Sequence, residues 1–484
     1  MKRREFITAT AATAIGLTLG QRTLAADGSK PDNRPNVLFI MTDQQHAGTM
    51  SCTGNQWLKT PALDWLASSG IRFERAYACN PVCVPNRFSL QTGLMPSAIG
   101  MGQNNDSGGA TVTDIMLRQS LGRIFQKAGY ETVYGGKVHL PRKMNNVQKL
   151  GYRNLTGNSR RGLADACAKF IRGQHTKPLF LFASFINPHD ICYMAINDFR
   201  RTKSQTPIGN IDSKTCEAVL ARARNSEDIS AFVEKNCPPL PDNHGVPEAE
   251  PGCITQKYVN ARPFRAYIRE KWTKNQWRLH RWAYCRLIEM VDKEIGMVLD
   301  ALREAGMEDN TLIVFTSDHG DMDSAHKMEH KSVLYEESVR VPFIMSYKGV
   351  IPAGVVDNTH LVSNGLDLLP TLYDYVGVEV PKGLKGRSLR PLAEGKNTKQ
   401  WRNFVVSESQ NGRMLRTHRF KYCVYDSGRH REQLIDLQRD PGEMKNLAEV
   451  DDYKDVLDKH RQLLRNWIEK TGDRIAAEYV KVKS

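Results

Sequence analysis

The chain has 484 residues, 40% of them hydrophobic and 25% charged. That balance belongs to a folded globular protein and excludes a disordered or collagen-like chain, while the length allows one large domain and a smaller one. The formal net charge of +15 favours anionic partners without choosing among them, because the excess is spread along the chain.

The N-terminus differs from the rest. Lys2, Arg3 and Arg4 precede a mildly apolar run of small residues from Phe6 to Gly20, with Thr23 and Ala25 at plausible cleavage positions. The run is too short and too rich in Thr and Gly for a membrane span, and it reads as a signal peptide over residues 1–26. Arg3-Arg4-Glu5-Phe6-Ile7 resembles a twin-arginine export signal, so the mature protein is expected in the periplasm or outside the cell. Removing these residues takes away four cations and Glu5 and leaves +12. No other segment is apolar for long enough to cross a bilayer.

Asn36-Val37-Leu38-Phe39-Ile40-Met41 is a continuous apolar run, as suits a strand buried on both faces. Pro61 to Ser69 reads as a helix. Further strand-like runs are Pro178 to Ser184, Leu312 to Ser317 and Pro342 to Met345. Ile288, Val291, Ile295, Val298, Leu299 and Leu302 form a stripe at helical spacing, stopped by Gly306. This alternation predicts an α/β sheet with helices on both faces. Residues 194–275 are polar, carry Pro238-Pro239-Leu240-Pro241 and lack strong periodicity, so they read as a long insertion near the mouth of a site. Beyond about residue 395 the short runs 404–406, 420–425 and 433–435 predict a hairpin-rich sheet, closed by an amphipathic helix with Val456, Leu457, Leu463, Leu464 and Trp467. The expected organisation is a catalytic domain over 34–394 and a small α+β subdomain over 395–484. Ten cysteines show no disulfide scaffold, although Cys216, Cys237 and Cys253 could include a bridge.

In wound α/β sheets, sites form beyond the C-terminal ends of strands. Asp43 and Gln44 follow the first strand directly, Asp318 and His319 follow a later one, and His189 follows a third. Three strands thus deliver metal-competent groups to one edge. Asp43, Gln44, Asp318 and His319 offer mostly oxygen, which suits Ca²⁺ or Mg²⁺, with Mn²⁺ or Zn²⁺ compatible through the imidazole.

Cys83-Val84-Pro85-Asn86-Arg87 with Thr92-Gly93 five and six positions beyond the Arg closely resembles the signature of the type I sulfatases. Gly136-Lys137-Val138-His139, Asn187-Pro188-His189, Ser317-Asp318-His319-Gly320-Asp321, His326, Lys331, Tyr335-Glu336-Glu337 and Arg340-Val341-Pro342 continue the resemblance at family spacing. So do Asp436-Leu437 and Asp440-Pro441-Gly442-Glu443. Two departures are Asn86, where Ser or Ala is usual, and Gln44, where Asp is more common.

The resemblance implies an alkaline-phosphatase-like fold: a large mixed, mostly parallel sheet flanked by helices, with a C-terminal antiparallel sheet. It implies that a sulfatase-maturing enzyme oxidises Cys83 to formylglycine, an aldehyde that hydrates to a geminal diol. Cys83, Asp43, Gln44, Asp318 and His319 would surround a divalent cation, most simply Ca²⁺. Catalytic roles fall to Cys83, Arg87, Lys137, His139, His189 and Lys331. One diol hydroxyl attacks sulfur while Asp318 helps hold its proton. His189, with Lys331, assists the departing alcohol, and His139 deprotonates the second hydroxyl so that sulfate is expelled. Ser89, Tyr335, Glu336, Glu337 and Arg340 are assigned to scaffolding. The expected substrate is a sulfated polysaccharide or oligosaccharide, with no nucleic-acid partner. Arg160, Arg161, His280 and Arg281 are candidates for contacts to neighbouring sugars, weighed against plain surface. A phosphonate monoester or phosphodiester hydrolase of the same superfamily is the alternative, since such relatives share the Cys motif and an Asp-Gln, Asp-His ligand set, but they carry Tyr and Thr in place of Lys137 and His139. A catalytically silent glycan-binding protein is the third reading.

Overall fold

A computed structural model describes residues 34–480 apart from positions 158, 397 and 399, so the signal peptide expected over 1–26 lies outside the described residues. Among these, fourteen strands follow in chain order: β1 (Asn36–Asp43), β2 (Ile71–Phe73), β3 (Ala76–Tyr77), β4 (Glu131–Gly136), β5 (Arg153–Asn154), β6 (Leu179–Pro188), β7 (Thr311–Ser317), β8 (Phe343–Ser346), β9 (Val355–Asp357), β10 (Val362–Ser363), β11 (Phe404–Glu408), β12 (Gly412–Thr417), β13 (Phe420–Tyr425) and β14 (Glu432–Asp436). Eight of them make one sheet in the order β5-β4-β6-β1-β7-β8-β2-β9. β1 runs parallel to β6 and β7, β4 to β5 and β6, and β2 to β9, while β8 is antiparallel to β7 and β2.

The continuous apolar strands serve two cores at once, because successive side chains leave a strand on opposite faces. Val37, Phe39 and Met41 of β1, with Phe180 and Phe182 of β6, pack against Val84, Phe88, Phe125 and Leu372 on one face. Leu38 and Ile40, with Leu179, Leu181 and Ala183, meet Leu63, Leu66, Leu163 and Leu299 on the other. The predicted helical stripe lies on the helix Lys274–Glu304, which Thr273 and Gln276 start with a reciprocal capping box. No described helix is long and apolar enough to cross a membrane.

Residues 194–275 differ from the loop-like insertion expected. They fold into the helices Cys192–Thr202, Ile211–Arg224, Ile229–Asn236 and Pro263–Lys271, with a π-helical turn at Ile254–Asn260. Each helix offers only a narrow apolar stripe, such as Cys216, Val219, Leu220 and Ala223, which is why periodicity is weak. The partners that complete the core, Trp277, Trp282, Leu287 and Ile288, come from the long helix outside the segment. Tertiary contact, not local pattern, stabilises these helices. The suggested bridge among Cys216, Cys237 and Cys253 does not form, and all ten cysteines are free.

The C-terminal sheet is antiparallel in the order β11-β12-β13-β14. The helix Lys454–Thr471 covers it with Leu457, Leu464 and Ile468. Strand β12 lies outside the expected runs, and its Arg413 and Arg416 interrupt the apolar pattern that marks the other strands of this sheet. Arg413 is 2% exposed and donates to both oxygens of Asp473, at 2.6 and 3.0 Å. Breaking such a pair strands a buried charge. Arg413→Met is therefore expected to lower the free energy of unfolding by about 3–5 kcal/mol, read from urea unfolding curves, with Asp473→Leu added to the same chain recovering part of the loss.

Candidate active site

The register of the central strands builds the site. Thr42 of β1 pairs with Ser317 of β7, so the residues that come next, Asp43 at the last position of β1 and Asp318 just past β7, lie side by side at the carboxyl edge of the sheet. The Asp318 amide still donates to the Thr42 carbonyl at 3.2 Å. Both carboxylates are fully buried. Into the space above them points the first residue of the helix Cys83–Thr92, placing Cys83 at the positive end of the helix.

Arg87, one turn along that helix, holds the two acids apart and in place. Its Nη2 donates to Asp43 Oδ2 at 2.8 Å and its Nε to Asp318 Oδ2 at 2.7 Å. Nη1 donates to the Lys137 carbonyl and to Ser184 Oγ, each at 2.9 Å. Lys137 follows β4 and puts its Nζ 2.6 Å from Asp43 Oδ2. Lys331 Nζ lies 3.3 Å from Cys83 Sγ and 2.6 Å from Gln44 Oε1. His319 Nε2 is 3.2 Å from Cys83 Sγ, while its Nδ1 faces the Gly320 carbonyl at 2.8 Å. A proton on Nδ1 would serve that carbonyl and leave the Nε2 lone pair toward the cluster.

Asn86 and Gln44, the two departures from the family pattern, both have structural partners. Asn86 Nδ2 donates to the Asp318 carbonyl at 2.5 Å and its Oδ1 accepts the Cys79 amide at 2.8 Å, tying the Cys83 helix to the end of β7. Gln44 adopts a left-handed backbone, φ 71°, and its Nε2 donates to Asp321 Oδ2 at 2.6 Å. That bond turns Oε1 toward Lys331 and the cluster, so the amide can present an oxygen where a carboxylate is usual.

Electrostatics fit a cation here. Burial alone would push Asp43 up, but Lys137, His189, Arg87 and Lys331 hold it well below the ordinary carboxylate range. Burial, reinforced by the Asp43 charge, pushes Asp318 up despite His319 and Arg87. Two buried acids sharing one guanidinium thus do not ionise together at ease, and a divalent cation between them removes that conflict. Donor atoms of Asp43, Cys83, Asp318 and His319 all lie within 4.8 Å of one another. With the Gln44 oxygen, Asp43 and Asp318 make a mainly oxygen set that suits a hard divalent cation, beside the His319 imidazole and the Cys83 sulfur. Burial and Asp43 oppose ionisation of the Cys83 thiol, but Lys137, Lys331 and His319 outweigh them and draw it well below its usual value.

His189 stands at the end of β6, half-buried, with its Nδ1 lacking a partner among the described residues. Burial, then Lys137 and Lys331, keep this imidazole neutral, while Asp43 and Cys83 act the other way. His139, in a left-handed backbone at φ 43°, is half-buried and also has an unpartnered Nδ1, and no described hydrogen bond joins it to the cluster.

The scaffolding group connects the site to the C-terminal sheet. Glu336 accepts from Tyr77 Oη at 3.0 Å and pairs with Lys421 at 3.3 Å, and its amide donates to Glu443 Oε2 at 2.6 Å. Tyr335 stacks on His326 with centroids 3.9 Å apart. Of the sugar-contact candidates, His280 is fully buried beside Trp272 and Trp277, so it contacts no ligand. Arg160 is committed to Asp190 and to Asp212, the latter at 2.7 Å, and Arg281 to Asp323 at 3.1 Å. Arg161 is exposed. Sequence reasoning missed Ser184 as an Arg87 partner and Asp321 as the residue that orients Gln44. Only the spacing of Asp321 after Asp318 hinted at it.

A model of the sulfatase family matches residues 35–378, and one described as N-sulphoglucosamine sulphohydrolase, C-terminal, matches residues 324–470. The Delta 4,5-hexuronate-2-O-sulfatase of Bacteroides thetaiotaomicron is 28% identical over 473 residues, covering 93% of this chain and 92% of the relative. The N-acetylglucosamine-6-O-sulfatase of the same organism is 27% identical over 485 residues, covering 89% and 86%. The solved structure of a 2-O GAG sulfatase superposes with a TM-score of 0.76 at 28% identity, covering 92% of this chain and 94% of that one.

Proposed function

The chain belongs to the sulfatase family of the alkaline-phosphatase-like superfamily and is a sulfuric ester hydrolase, and from this premise we propose that it desulfates a sulfated polysaccharide or oligosaccharide, using an aldehyde hydrate made from Cys83 beside a divalent cation. The observation that carries the reading is the Cys83 side chain, 3.2 Å from His319 Nε2 and 3.3 Å from Lys331 Nζ, within one cluster of buried donors. The kind of substrate is supported by the relatives named for hexuronate and N-acetylglucosamine sulfates.

Asp43, Gln44, Asp318 and His319 would hold the cation, most simply Ca²⁺, which when bound neutralises the anionic ester and polarises its oxygens. The modified residue 83 supplies two hydroxyls on one carbon, one to attack sulfur and one to release sulfate. A serine or cysteine adduct would have to wait for water. Lys137 and Lys331 offset the charge of the ester's free oxygens, most of all as charge builds in the transition state. Arg87 keeps both acids aimed while it orients residue 83. His189 delivers a proton to the departing alcohol oxygen. Burial first, then Lys137 and Lys331, disfavours the imidazolium, and the arriving anion counters the two ammonium groups. His139 takes the proton of the second hydroxyl. Cys83 is fully buried, so the maturing enzyme acts on the chain before this helix is packed. Residues 1–26 then serve export to the periplasm or beyond.

The test compares matured enzyme on 4-nitrophenyl sulfate and on bis(4-nitrophenyl) phosphate. Sulfate-ester turnover is expected to be the faster, and a panel of defined sulfated oligosaccharides then identifies the linkage. Faster diester turnover would contradict the reading and select the phosphonate and phosphodiester hydrolases.

A further inference from the structure

A groove of about 640 Å³ opens between the helices Ile211–Arg224 and Lys274–Glu304. Arg161, Lys214, Arg222, Arg286 and Lys293 face it against a single carboxylate, Glu289. That carboxylate is already engaged by Arg286 at 2.9 Å and by the Lys59 amide at 2.9 Å. Arg161, Lys214, Arg222 and Lys293 have no acidic partner among the described residues, and all four are exposed. Such unbalanced charge in a concave surface concentrates field and favours a polyanion.

The cations are ordered. Lys214 and Arg222 stand eight positions apart on one helix face, about 12 Å, and Arg286 and Lys293 seven apart on the facing helix, about 10 Å. The guanidiniums of Arg222 and Arg286 each lie 5.9 Å from the centroid of Trp282, which steadies both. Ile211 and Met290, 36% and 44% exposed, add apolar surface for the faces of sugar rings. Trp282 itself is 3% exposed and offers no stacking platform, which disfavours single-stranded nucleic acid.

The groove is also pinned to the reaction centre. Arg161 follows Arg160, whose guanidinium holds Asp190, the residue after His189, and Asp212, the second residue of the helix that carries Lys214. We propose that this groove binds the sulfate groups of a multiply sulfated glycan chain at a distance from the ester being cleaved, so that the enzyme works on polymers it holds outside its active site. This rests on the sulfatase reading above, and it assigns binding, with no catalytic part, to the groove residues.

The test titrates a fluorescein-labelled, fully sulfated heparin dodecasaccharide by polarisation, alongside turnover of 4-nitrophenyl sulfate. Parent enzyme is expected to bind with an affinity that falls steeply with salt. K214E/K293E is expected to bind at least about tenfold more weakly, and K214R/K293R within about twofold of parent. Both variants should turn over the small ester within about twofold of parent, which also shows that they are folded. Unchanged dodecasaccharide affinity in K214E/K293E would overturn the proposal, as would tighter binding of a single-stranded DNA of equal charge. Because binding is read without turnover, a parent that binds the glycan but fails to hydrolyse the small ester would contradict the sulfatase reading and leave the groove standing.

Discussion

Cys83→Ala is expected to abolish sulfate-ester turnover, by about four orders of magnitude or more, while the protein stays folded. Alanine removes the attacking group and leaves a small gap, and it leaves the Arg87 clamp on Asp43 and Asp318 intact. Cys83→Ser separates the two hydroxyl roles. A serine can be sulfated, but it lacks the second oxygen on the same carbon that expels the sulfate. The expected result is a single stoichiometric release of 4-nitrophenol, followed by arrest and a sulfated peptide in the mass spectrum. Steady turnover by the serine variant would show that external water suffices and that the diol is not needed.

Arg87→Met should lose both activity and stability. The guanidinium donates to two buried carboxylates, one carbonyl and one hydroxyl, so its loss removes the one cation shared by Asp43 and Asp318 and leaves Lys137 on Asp43 and His319 beside Asp318 to offset their charge. Removing one partner of a buried charged network typically costs about 3–5 kcal/mol, and the drop in kcat/KM should exceed about a thousandfold. Added Ca²⁺ should raise the melting temperature of the variant more than that of the parent, because the cation then carries charge that the arginine no longer supplies. Equal shifts in both proteins would mean that the acids do not share the cation.

The legible part of this molecule is the part where local sequence and tertiary position agree. Val37 to Met41 could be read as a doubly buried strand because every residue meets apolar side chains on one face or the other. The ends of β1 and β7 could be read as one site because parallel neighbours in register bring their following residues together. What escaped reading depends on partners far along the chain. The helices of 194–275 take their core from Trp277, Trp282 and Ile288. Strand β12 is hidden by an arginine that is neutralised 60 residues later by Asp473. Gln44 departs from the more common Asp, and what orients its amide is Asp321, 277 residues along the chain. His280 looked like a surface residue because charged and polar neighbours flank it in sequence, whereas the helix turns it between two tryptophans.

The proposed chemistry requires that residue 83 is no longer a cysteine in the working enzyme. Mass spectrometry of the proteolytic peptide containing position 83, from protein matured in its native host, decides this directly. The expected result is an aldehyde or its hydrate in the active fraction, trapped as a hydrazone by a hydrazine probe. An intact thiol at that position, in protein that still hydrolyses sulfate esters at full rate, would contradict it.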